Sequence, residues 1–232
     1  MIRKDLTPAM EDYLKGAYLL RERGEDITVL ALAEALKVTP PSVTGMVKRL
    51  AGLGLIEHTP YRLIELTPAG TAVALEIVRH HRLLELYLAE FLGMAWDEVH
   101  SEADRLEHHI SEDLEERIAE RLGQPAIDPH GDPIPTRDLT LPERDLVRLS
   151  ALRPGVQATI ARVSNQEPGL LHYLGTLGMV PGALVTFVEV APYGNVVTVK
   201  VGAGKGAVHS IAGEVASRVL TMPTSDEVAA PH

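Results

Sequence analysis

The sequence predicts a mainly α-helical protein with a smaller β part. Apolar residues recur at helical spacing in the first half, a segment rich in Pro, Gly and Asp follows, and short apolar stretches bounded by Gly and Pro fill the last third. A chain of 232 residues is long enough for two or three small hydrophobic cores. We therefore expect domains at 1–74, 75–142 and 153–222, a linker at 143–152 and a disordered tail at 223–232.

The composition limits the classes of protein that fit. The chain contains no cysteine and no run of apolar residues long enough to cross a membrane, so we expect no disulfide, no thiolate metal site and no membrane span. No signal peptide is recognisable, and a cytoplasmic location is expected. Residues 75–146 hold 7 Lys or Arg against 18 Asp or Glu. A divalent cation would lower the self-repulsion of so dense a negative field.

Threonines mark the beginnings of three helices in the first domain. Thr7, Thr28 and Thr39 each precede a stretch with helical periodicity, and proline follows directly after the first and the third. Two short β-prone stretches come next, at 55–58 and 62–66, joined by a hairpin turn. Three helices and a hairpin in this order predict a winged helix-turn-helix, whose third helix would enter the major groove of DNA.

The third helix has small and polar residues on its outward side. Hydroxyl groups at a helix start suit contacts with phosphates and base edges, and basic side chains suit the DNA backbone. Gly45 in mid-helix costs about 1 kcal/mol relative to alanine. Close approach to a base pair would explain this glycine, and so would close helix packing. The residues predicted to contact DNA are Thr39, Pro40, Pro41, Ser42, Thr44, Lys48 and Arg49.

Potential metal ligands recur in the acidic middle of the chain. If residues 99–109 form a helix, His100, Asp104, Glu107 and His108 lie along one stripe of it, beside an apolar stripe that would pack on the protein. The alternative is a solvated acidic helix whose histidines are incidental. Two imidazoles and two carboxylates on one stripe favour the metal site.

A second cluster of ligand types, which consists of His80, His81 and Glu85, lies about one helix earlier. His81 and Glu85 share a helix face because four residues separate them. If the two helices are antiparallel neighbours, this pair can face the acidic stripe. The combined ligands are nitrogen and carboxylate oxygen, which suit Mn²⁺, Fe²⁺, Zn²⁺ or Ni²⁺, and the share of carboxylates favours Mn²⁺.

The helix that carries His81 continues with more apolar surface than one protomer obviously needs. We expect part of this surface to form a homodimer interface, the alternative being packing within the chain. The residues concerned are Leu83, Leu84, Leu86, Tyr87, Phe91 and Leu92.

The segment 123–142 has the composition of a loop and linker. It contains Asp128, His130 and Asp132, which are ligand types. In a loop of this composition we expect them to be solvated and not to bind metal. Further on, β-prone stretches at 157–163, 184–190, 195–201 and 218–221, with a short helix at 170–177, predict a small barrel.

Together these motifs resemble the diphtheria toxin repressor family, and within it the manganese-sensing branch. The resemblance covers nearly the whole chain and includes Met10-Glu-Asp-Tyr-Leu14, Pro41-Ser-Val-Thr44, His81-Arg-Leu-Leu-Glu85 and Glu107-His-His109. Leu177-Gly-Met-Val-Pro-Gly182 is similar to the SH3-like domain of small ferrous-transport accessory proteins. The resemblance implies a metal-activated, dimeric, DNA-binding repressor with an SH3-like C-terminal domain.

The resemblance also implies which residues bind metal. Asp12 matches a ligand position that is Met in the iron branch and Asp in the manganese branch. Asp104 matches a ligand position that is Cys in the iron branch and Glu in the manganese branch. Glu107 and His108 match ligands that both branches share. Glu11 is expected to support Asp12.

An ancillary metal site is implied in the same way. His81, Glu85 and His100 match its ligands, and His81 also serves in the paired site of the manganese branch. Glu167 matches a carboxylate that the barrel of the iron branch supplies. Lys15 departs from the pattern, because the manganese branch places a Glu ligand there, and this departure puts a paired-metal geometry in doubt.

The predicted function is that of a Mn²⁺-dependent repressor of metal-uptake genes, which binds double-stranded operator DNA as a homodimer. A cation shared by Asp12 and the 104–108 segment would fix the orientation of the recognition helices. A sensor of Fe²⁺ or of several divalent metals is the alternative within the family. A metal-independent DNA-binding protein is a further alternative. An enzyme is not expected, because a His-Glu-x-x-His motif and an evident nucleophile are missing.

Overall fold

The computed structural model of the chain describes residues 6–58, 63–142, 144–164 and 167–224. The chain forms two compact units. The first contains Met1–His81, Asp104–Arg117 and Pro135–Leu141, and the second contains Arg82–Ala103, Ile118–Ile134 and Pro142–His232. The predicted fold class is confirmed: helices dominate the first half and a sheet dominates the last third.

The winged helix-turn-helix lies in the first unit. Its elements are α1 (Pro8–Glu22), α2 (Val29–Ala35), α3 (Pro40–Gly52), β1 (Ile56–His58) and β2 (Ile64–Leu66). The three predicted threonine caps are present: Thr7, Thr28 and Thr39 each accept a hydrogen bond from the backbone N–H three residues later. β1 and β2 pair antiparallel. The predicted turn between them lies outside the described residues.

Apolar residues from all three helices and the hairpin form the core of the first unit. Leu14, Leu32, Val47, Leu50 and Leu55 have no exposed surface. On α1, Met10, Leu14 and Ala17 are buried at helical spacing, which is the pattern that predicted this helix. Val43, Val47 and Leu50 do the same on α3. The buried face of α1 packs into this core, which fixes the position of the helix.

Three further helices follow: α4 (Pro68–Leu92), α5 (Val99–Leu106) and α6 (Glu112–Arg121). The predicted boundary at residue 74 falls inside α4, and the domain boundaries stay a prediction. The helix predicted at 99–109 is shorter than expected, because α5 ends at Leu106 and Glu107–His109 form a turn. Backbone N–H of His109 closes this turn on the carbonyl oxygen of Leu106, at 2.9 Å.

The second unit contains a six-stranded antiparallel sheet in the order β3-β8-β4-β5-β6-β7. Its elements are β3 (Val147–Arg148), β4 (Gln157–Val163), α7 (Pro168–Thr176), β5 (Leu184–Val190), β6 (Val196–Val201), β7 (Ala207–Ala212), α8 (Gly213–Arg218) and β8 (Val219–Pro223). Phe187, Ile160 and Val199 are buried at the centre of its core. This is the predicted SH3-like barrel.

Some elements of the sheet differ from the sequence prediction. β7 and α8 were not predicted, and β8 extends to Pro223, inside the segment expected to be a disordered tail. Part of the predicted linker belongs to the sheet, because β3 pairs with β8 and Leu149 and Leu152 join the barrel core. Residues 225–232 of the predicted tail lie outside the described residues. Within the described ranges, none of the helices combines the length and apolar character of a membrane-spanning segment.

Candidate functional site

Helix α3 presents its polar side to solvent, as predicted. Thr39, Pro40, Pro41, Ser42, Lys48 and Arg49 are exposed and Thr44 is half-buried. The hydroxyl oxygens of Thr39 and Ser42 lie 2.9 Å apart at the start of the helix. Thr44 instead donates its hydroxyl hydrogen to the backbone carbonyl of Pro40, at 3.1 Å.

Gly45 lies on the same exposed side of α3. A Cβ atom built there would meet no other atom within 4 Å. Packing against another helix of the chain therefore does not explain the glycine. Close approach of α3 to DNA stays a prediction.

A cluster of potential metal ligands lies in the first unit, where α1 meets the turn after α5. One ligand atom each of Asp12, Glu107 and His108 lie within 4.8 Å of one another. His108 Nε2 is 2.9 Å from Asp12 Oδ1 and 3.4 Å from Glu107 Oε1. The side chain of His108 is 8% exposed and that of Glu107 only 1%, whereas Asp12 is about half exposed. We call these three residues the His108 cluster.

Glu11 orients the imidazole of His108. Its carboxylate oxygen lies 2.6 Å from Nδ1, on the opposite side of the ring from Asp12. A carboxylate at one ring nitrogen fixes the tautomer in which the other nitrogen can bind a metal ion. The hydrogen bond with Asp12, and next that with Glu11, raise the pKa of His108 to about 9 against the effect of burial. The raised pKa favours the protonated imidazole at neutral pH.

The backbone around Glu107 is held by a buried network. His80 Nδ1 lies 3.0 Å from the carbonyl oxygen of Glu107, and His80 Nε2 lies 2.7 Å from Glu115. Arg79 also binds Glu115, at 2.5 Å. Burial opposes ionisation of Glu115, but the hydrogen bonds with His80 and Arg79 outweigh it and lower its pKa. The network fixes the turn that carries Glu107 and His108.

Lys15 is a buried cation beside the His108 cluster. Its Nζ atom donates to Glu107 Oε2 at 2.7 Å and to Asp104 Oδ1 at 2.9 Å, and lies 3.0 Å from His81 Nδ1. Burial would lower the pKa of Lys15, but the charges of Glu107 and Asp104 outweigh it and the pKa is raised. Asp104 and His81, both predicted as metal ligands, thus surround an ammonium group.

The second unit contains a cluster around Glu85. His100 Nδ1 lies 2.9 Å from Glu85 Oε1, so two of the residues expected in an ancillary site are in contact. The other oxygen of Glu85 lies 3.6 Å from His130 Nδ1. Asp128 also offers a ligand atom within the same group, and all of Glu85, Asp128 and His130 are buried. His130 Nε2 hydrogen-bonds the carbonyl oxygen of Trp96 at 2.7 Å, so both ring nitrogens face acceptors.

The expectation that the loop at 128–132 is solvated is wrong. Asp128, His130 and Asp132 are at most 3% exposed. Two arginines distant in sequence supply the counter-charge: Arg82 donates to the carbonyl of Pro133 at 2.6 Å and approaches both aspartates, and Arg162 of β4 pairs with Asp132.

Ionisation within this loop follows from its burial. Burial, and next the charges of Asp132 and Glu85, raise the pKa of Asp128 well above its usual range. Burial opposes the charge of His130, but Glu85 outweighs it and raises the pKa of His130 to about 9.

Glu167 is the predicted ligand with the least structural support. It is exposed and is the N-cap residue of α7, without a capping hydrogen bond from its side chain. The groups of potential ligands found in the described ranges do not include it. The sequence prediction grouped His80 with His81 and Glu85 but gave it no role, and it passed over Glu115. The adjacent histidines at 80 and 81 were the available signal for His80.

Comparisons with known proteins agree with this arrangement. Residues 5–64 match the model of the iron dependent repressor N-terminal DNA binding domain, residues 67–136 that of the iron dependent repressor metal binding and dimerisation domain, and residues 147–221 that of the FeoA domain. The iron-dependent repressor IdeR of Mycobacterium leprae (strain TN) is 36% identical over 207 residues, which cover 84% of this chain and 90% of that protein. The chain belongs to the diphtheria toxin repressor family.

Solved structures of the family are similar throughout. A manganese-dependent transcriptional repressor in complex with manganese has a TM-score of 0.86 at 33% identity, covering 92% of this chain and 99% of the other. The manganese regulator SloR has a TM-score of 0.78 at 31% identity, covering 94% and 100%. The chain is a metal-dependent transcriptional repressor and not an enzyme. Its relatives are named for iron or for manganese, so they agree on a divalent metal and differ in which.

The His108 cluster fits a divalent transition metal. Its donors are two carboxylates and one imidazole nitrogen, with Glu11 behind the imidazole, and borderline divalent cations take such oxygen and nitrogen ligands. The Glu85–His100 pair offers the same atom types. Membership of the family and the donor chemistry therefore agree.

Proposed function

We propose that this chain is a Mn²⁺-dependent repressor of metal-uptake genes. The observation that carries the proposal is the His108 cluster, in which α1 of the winged helix-turn-helix contributes Asp12 and the turn after α5 contributes Glu107 and His108. A divalent ion shared by these residues would link the DNA-binding helices to the α5 turn.

Manganese is favoured by the donor atoms. The cluster contains carboxylate oxygen and imidazole nitrogen, and the chain holds no cysteine to supply the soft sulfur ligand that would favour other metals. Two similar solved structures are described as manganese repressors or regulators, which supports the choice. The relative IdeR is described as iron-dependent, so a sensor of Fe²⁺ or of several divalent metals is the alternative.

The mechanism follows from which residues the site joins. A bound divalent ion supplies two positive charges that the carboxylates of Asp12 and Glu107 share. Glu11 keeps the His108 ring aligned through Nδ1, and His80 holds the turn through the carbonyl oxygen of Glu107. The position of α1, and through the shared core that of α3, is then tied to the α5 turn. Tying these elements selects one orientation of the recognition helix, which raises DNA affinity.

We propose that α3 is the element that reads DNA. The exposed hydroxyls of Thr39 and Ser42 and the open side at Gly45 suit close approach to the major groove, while Lys48 and Arg49 suit phosphates. Because operator DNA is in the cytoplasm, we place the protein there.

A homodimer is also proposed, as for the family's dimerisation domain. On the second half of α4, Leu83 and Leu84 are buried in the chain, but Phe91 is 41% and Leu92 62% exposed. Phe91 is stacked on Tyr87, with ring centroids 5.3 Å apart, and so presents a fixed aromatic surface. A sedimentation run that shows only monomer at micromolar concentration would rule the dimer out.

The test measures DNA affinity against the concentration of each free metal. A duplex selected in vitro from random sequences by the Mn²⁺-loaded protein serves as the probe, and fluorescence anisotropy reports binding in buffered Mn²⁺ and, without oxygen, Fe²⁺. We expect Mn²⁺ to activate binding and chelation to abolish it. Activation by Fe²⁺ but not by Mn²⁺ would select the alternative, and binding unaffected by chelation would reject metal dependence.

Two neighbouring histidines provide the matched variants. His108→Ala removes the ligand and is expected to abolish the response to metal. His109→Ala changes the exposed residue beside it and is expected to leave the response intact. Equal behaviour of the two variants would contradict the assignment of the site.

A further inference from the structure

The surroundings of the Lys15 ammonium are those of a metal ion. Its Nζ atom lies 2.7 Å from Glu107, 2.9 Å from Asp104 and 3.0 Å from His81. Two carboxylates and one imidazole are the kind of donor set that divalent transition metals take. An ammonium group has three hydrogens and no acceptor, and the carboxylates of Glu107 and Asp104 accept two of these hydrogens. His81 Nδ1 also lies 2.5 Å from Glu107 Oε2, so its role beside the ammonium depends on its tautomer.

Glu107 connects this ammonium to the His108 cluster. Its Oε2 atom accepts the hydrogen bond from Lys15, whereas its Oε1 atom lies 3.4 Å from His108 Nε2. One carboxylate therefore faces two neighbouring positions for positive charge. The first lies between Asp12, Glu107 and His108, and the Lys15 ammonium is at the second.

We propose that the Lys15 ammonium permanently occupies the second of these two cation positions, so that the cluster takes one divalent ion and not a pair. This inference rests on the proposed metal site at His108. Glu11, Asp12, Asp104 and Glu107 bring four formal negative charges, which Lys15 and one divalent ion leave at a net charge of minus one. A second divalent ion would have to displace a tethered cation that already binds two of the same carboxylates.

The tethered ammonium also acts when no metal is present. It joins α1 to Asp104 of α5 and to Glu107 of the following turn through direct hydrogen bonds. Part of the connection between the winged helix-turn-helix and the α5 turn is thus built into the chain. The single ion completes a link that Lys15 has already begun.

The test counts bound Mn²⁺ and asks whether bound ions are magnetically coupled. Metal-free protein is dialysed against Mn²⁺, the metal bound per protomer is measured, and electron paramagnetic resonance distinguishes isolated ions from an adjacent pair. We expect wild type to show only isolated ions. Lys15→Glu, which replaces the cation by a further carboxylate, is expected to bind one more ion per protomer and to show a coupled pair.

Three further variants make the result decisive. Lys15→Met removes the ammonium and leaves an uncharged side chain one atom shorter. It is expected to gain the same ion at higher Mn²⁺, and it provides the test if Lys15→Glu fails to fold. Lys205→Glu makes the same charge change on an exposed loop of the second unit and is expected to leave the count unchanged. His108→Ala in wild type is expected to lose one ion, and its failure to do so would reject the proposed site itself.

The inference would be overturned by either of two results. A coupled pair of ions in wild type would show that Lys15 is displaced by metal. A folded Lys15→Met protein, verified by circular dichroism, that binds no further Mn²⁺ would show that the second position is not a cation site once it is vacated.

Discussion

Metal binding at the His108 cluster is expected to depend steeply on pH. The hydrogen bond with Asp12, followed by that with Glu11, raises the pKa of His108 to about 9 in the metal-free protein. A metal binds neutral imidazole, so below this pH an ion must displace a proton from the ring. The apparent association constant for Mn²⁺ therefore rises as the pH rises towards 9 and levels off above it.

The size of the effect follows from the distance between the working pH and the pKa. At pH 7, about two units below this pKa, competition from the proton weakens the apparent association constant roughly a hundredfold, or by about 3 kcal/mol. Each unit of pH gained between 7 and 9 is expected to recover about a factor of ten. The side chain of His108 is 8% exposed, so solvent screening removes little of this effect.

Isothermal titration calorimetry measures both consequences. Titrations of Mn²⁺ at several pH values, in weakly chelating buffers with different ionisation enthalpies, give the association constant and the number of protons released, which we expect to be close to one per ion at pH 7. Glu11→Gln weakens the pairing that raises the pKa of His108 and should flatten the pH dependence. Glu90→Gln, on the exposed side of α4, should not. An association constant independent of pH, without proton release, would refute the reasoning.

Three other substitutions test the packing and the DNA-binding helix. Gly131 has φ +85°, and a Cβ atom built on it would lie 1.9 Å from a backbone oxygen of β4. Gly131→Ala should therefore lower the melting temperature by several degrees. The control Gly123→Ala should lower it clearly less, because φ is +76° there but the surrounding space is open. Arg79→Met should lower the free energy of unfolding, measured by chemical denaturation, by about 3 kcal/mol because Glu115 loses its buried ion pair. The double variant Arg79→Met with Glu115→Met should recover part of this loss. No recovery would contradict the pairing. Gly45→Ala should raise the free energy of unfolding by up to about 1 kcal/mol yet weaken DNA binding, and unchanged DNA affinity would show that α3 does not approach DNA at this position.

The elements predicted correctly are those with a strong local signal. The threonine caps placed the starts of α1, α2 and α3, and β-prone stretches between Gly and Pro turns placed β4 and β5 at their observed bounds. β7 lacked that signal because only Ile211 among its residues is buried. Without an apolar alternation, a strand is defined by its partner, here β6, which the sequence does not reveal.

The site was predicted in its residue types and less well in its geometry. Glu107 and His108 were placed on a helix, but α5 ends one residue earlier, in the turn that His80 holds through the carbonyl oxygen of Glu107. The loop around Asp128 was expected in water because its composition is polar. Its burial depends on Arg82 and Arg162, which are distant in sequence, and no local pattern contains that pairing.

The attachment of this buried loop to the barrel bears on any attempt to shorten the protein. Arg162 of β4 pairs with Asp132, and the backbone N–H of Val163 donates to the carbonyl oxygen of His130 at 2.9 Å. A truncated chain that stopped before β4 would lose both contacts. Arg82 would then be the remaining arginine near Asp128 and Asp132, and both aspartates would become exposed to water. Deleting the barrel would also disturb the surroundings of Glu85. A phenotype caused by deletion of the FeoA-type domain would therefore combine the loss of the barrel with a disturbed structure around Glu85 and Asp132.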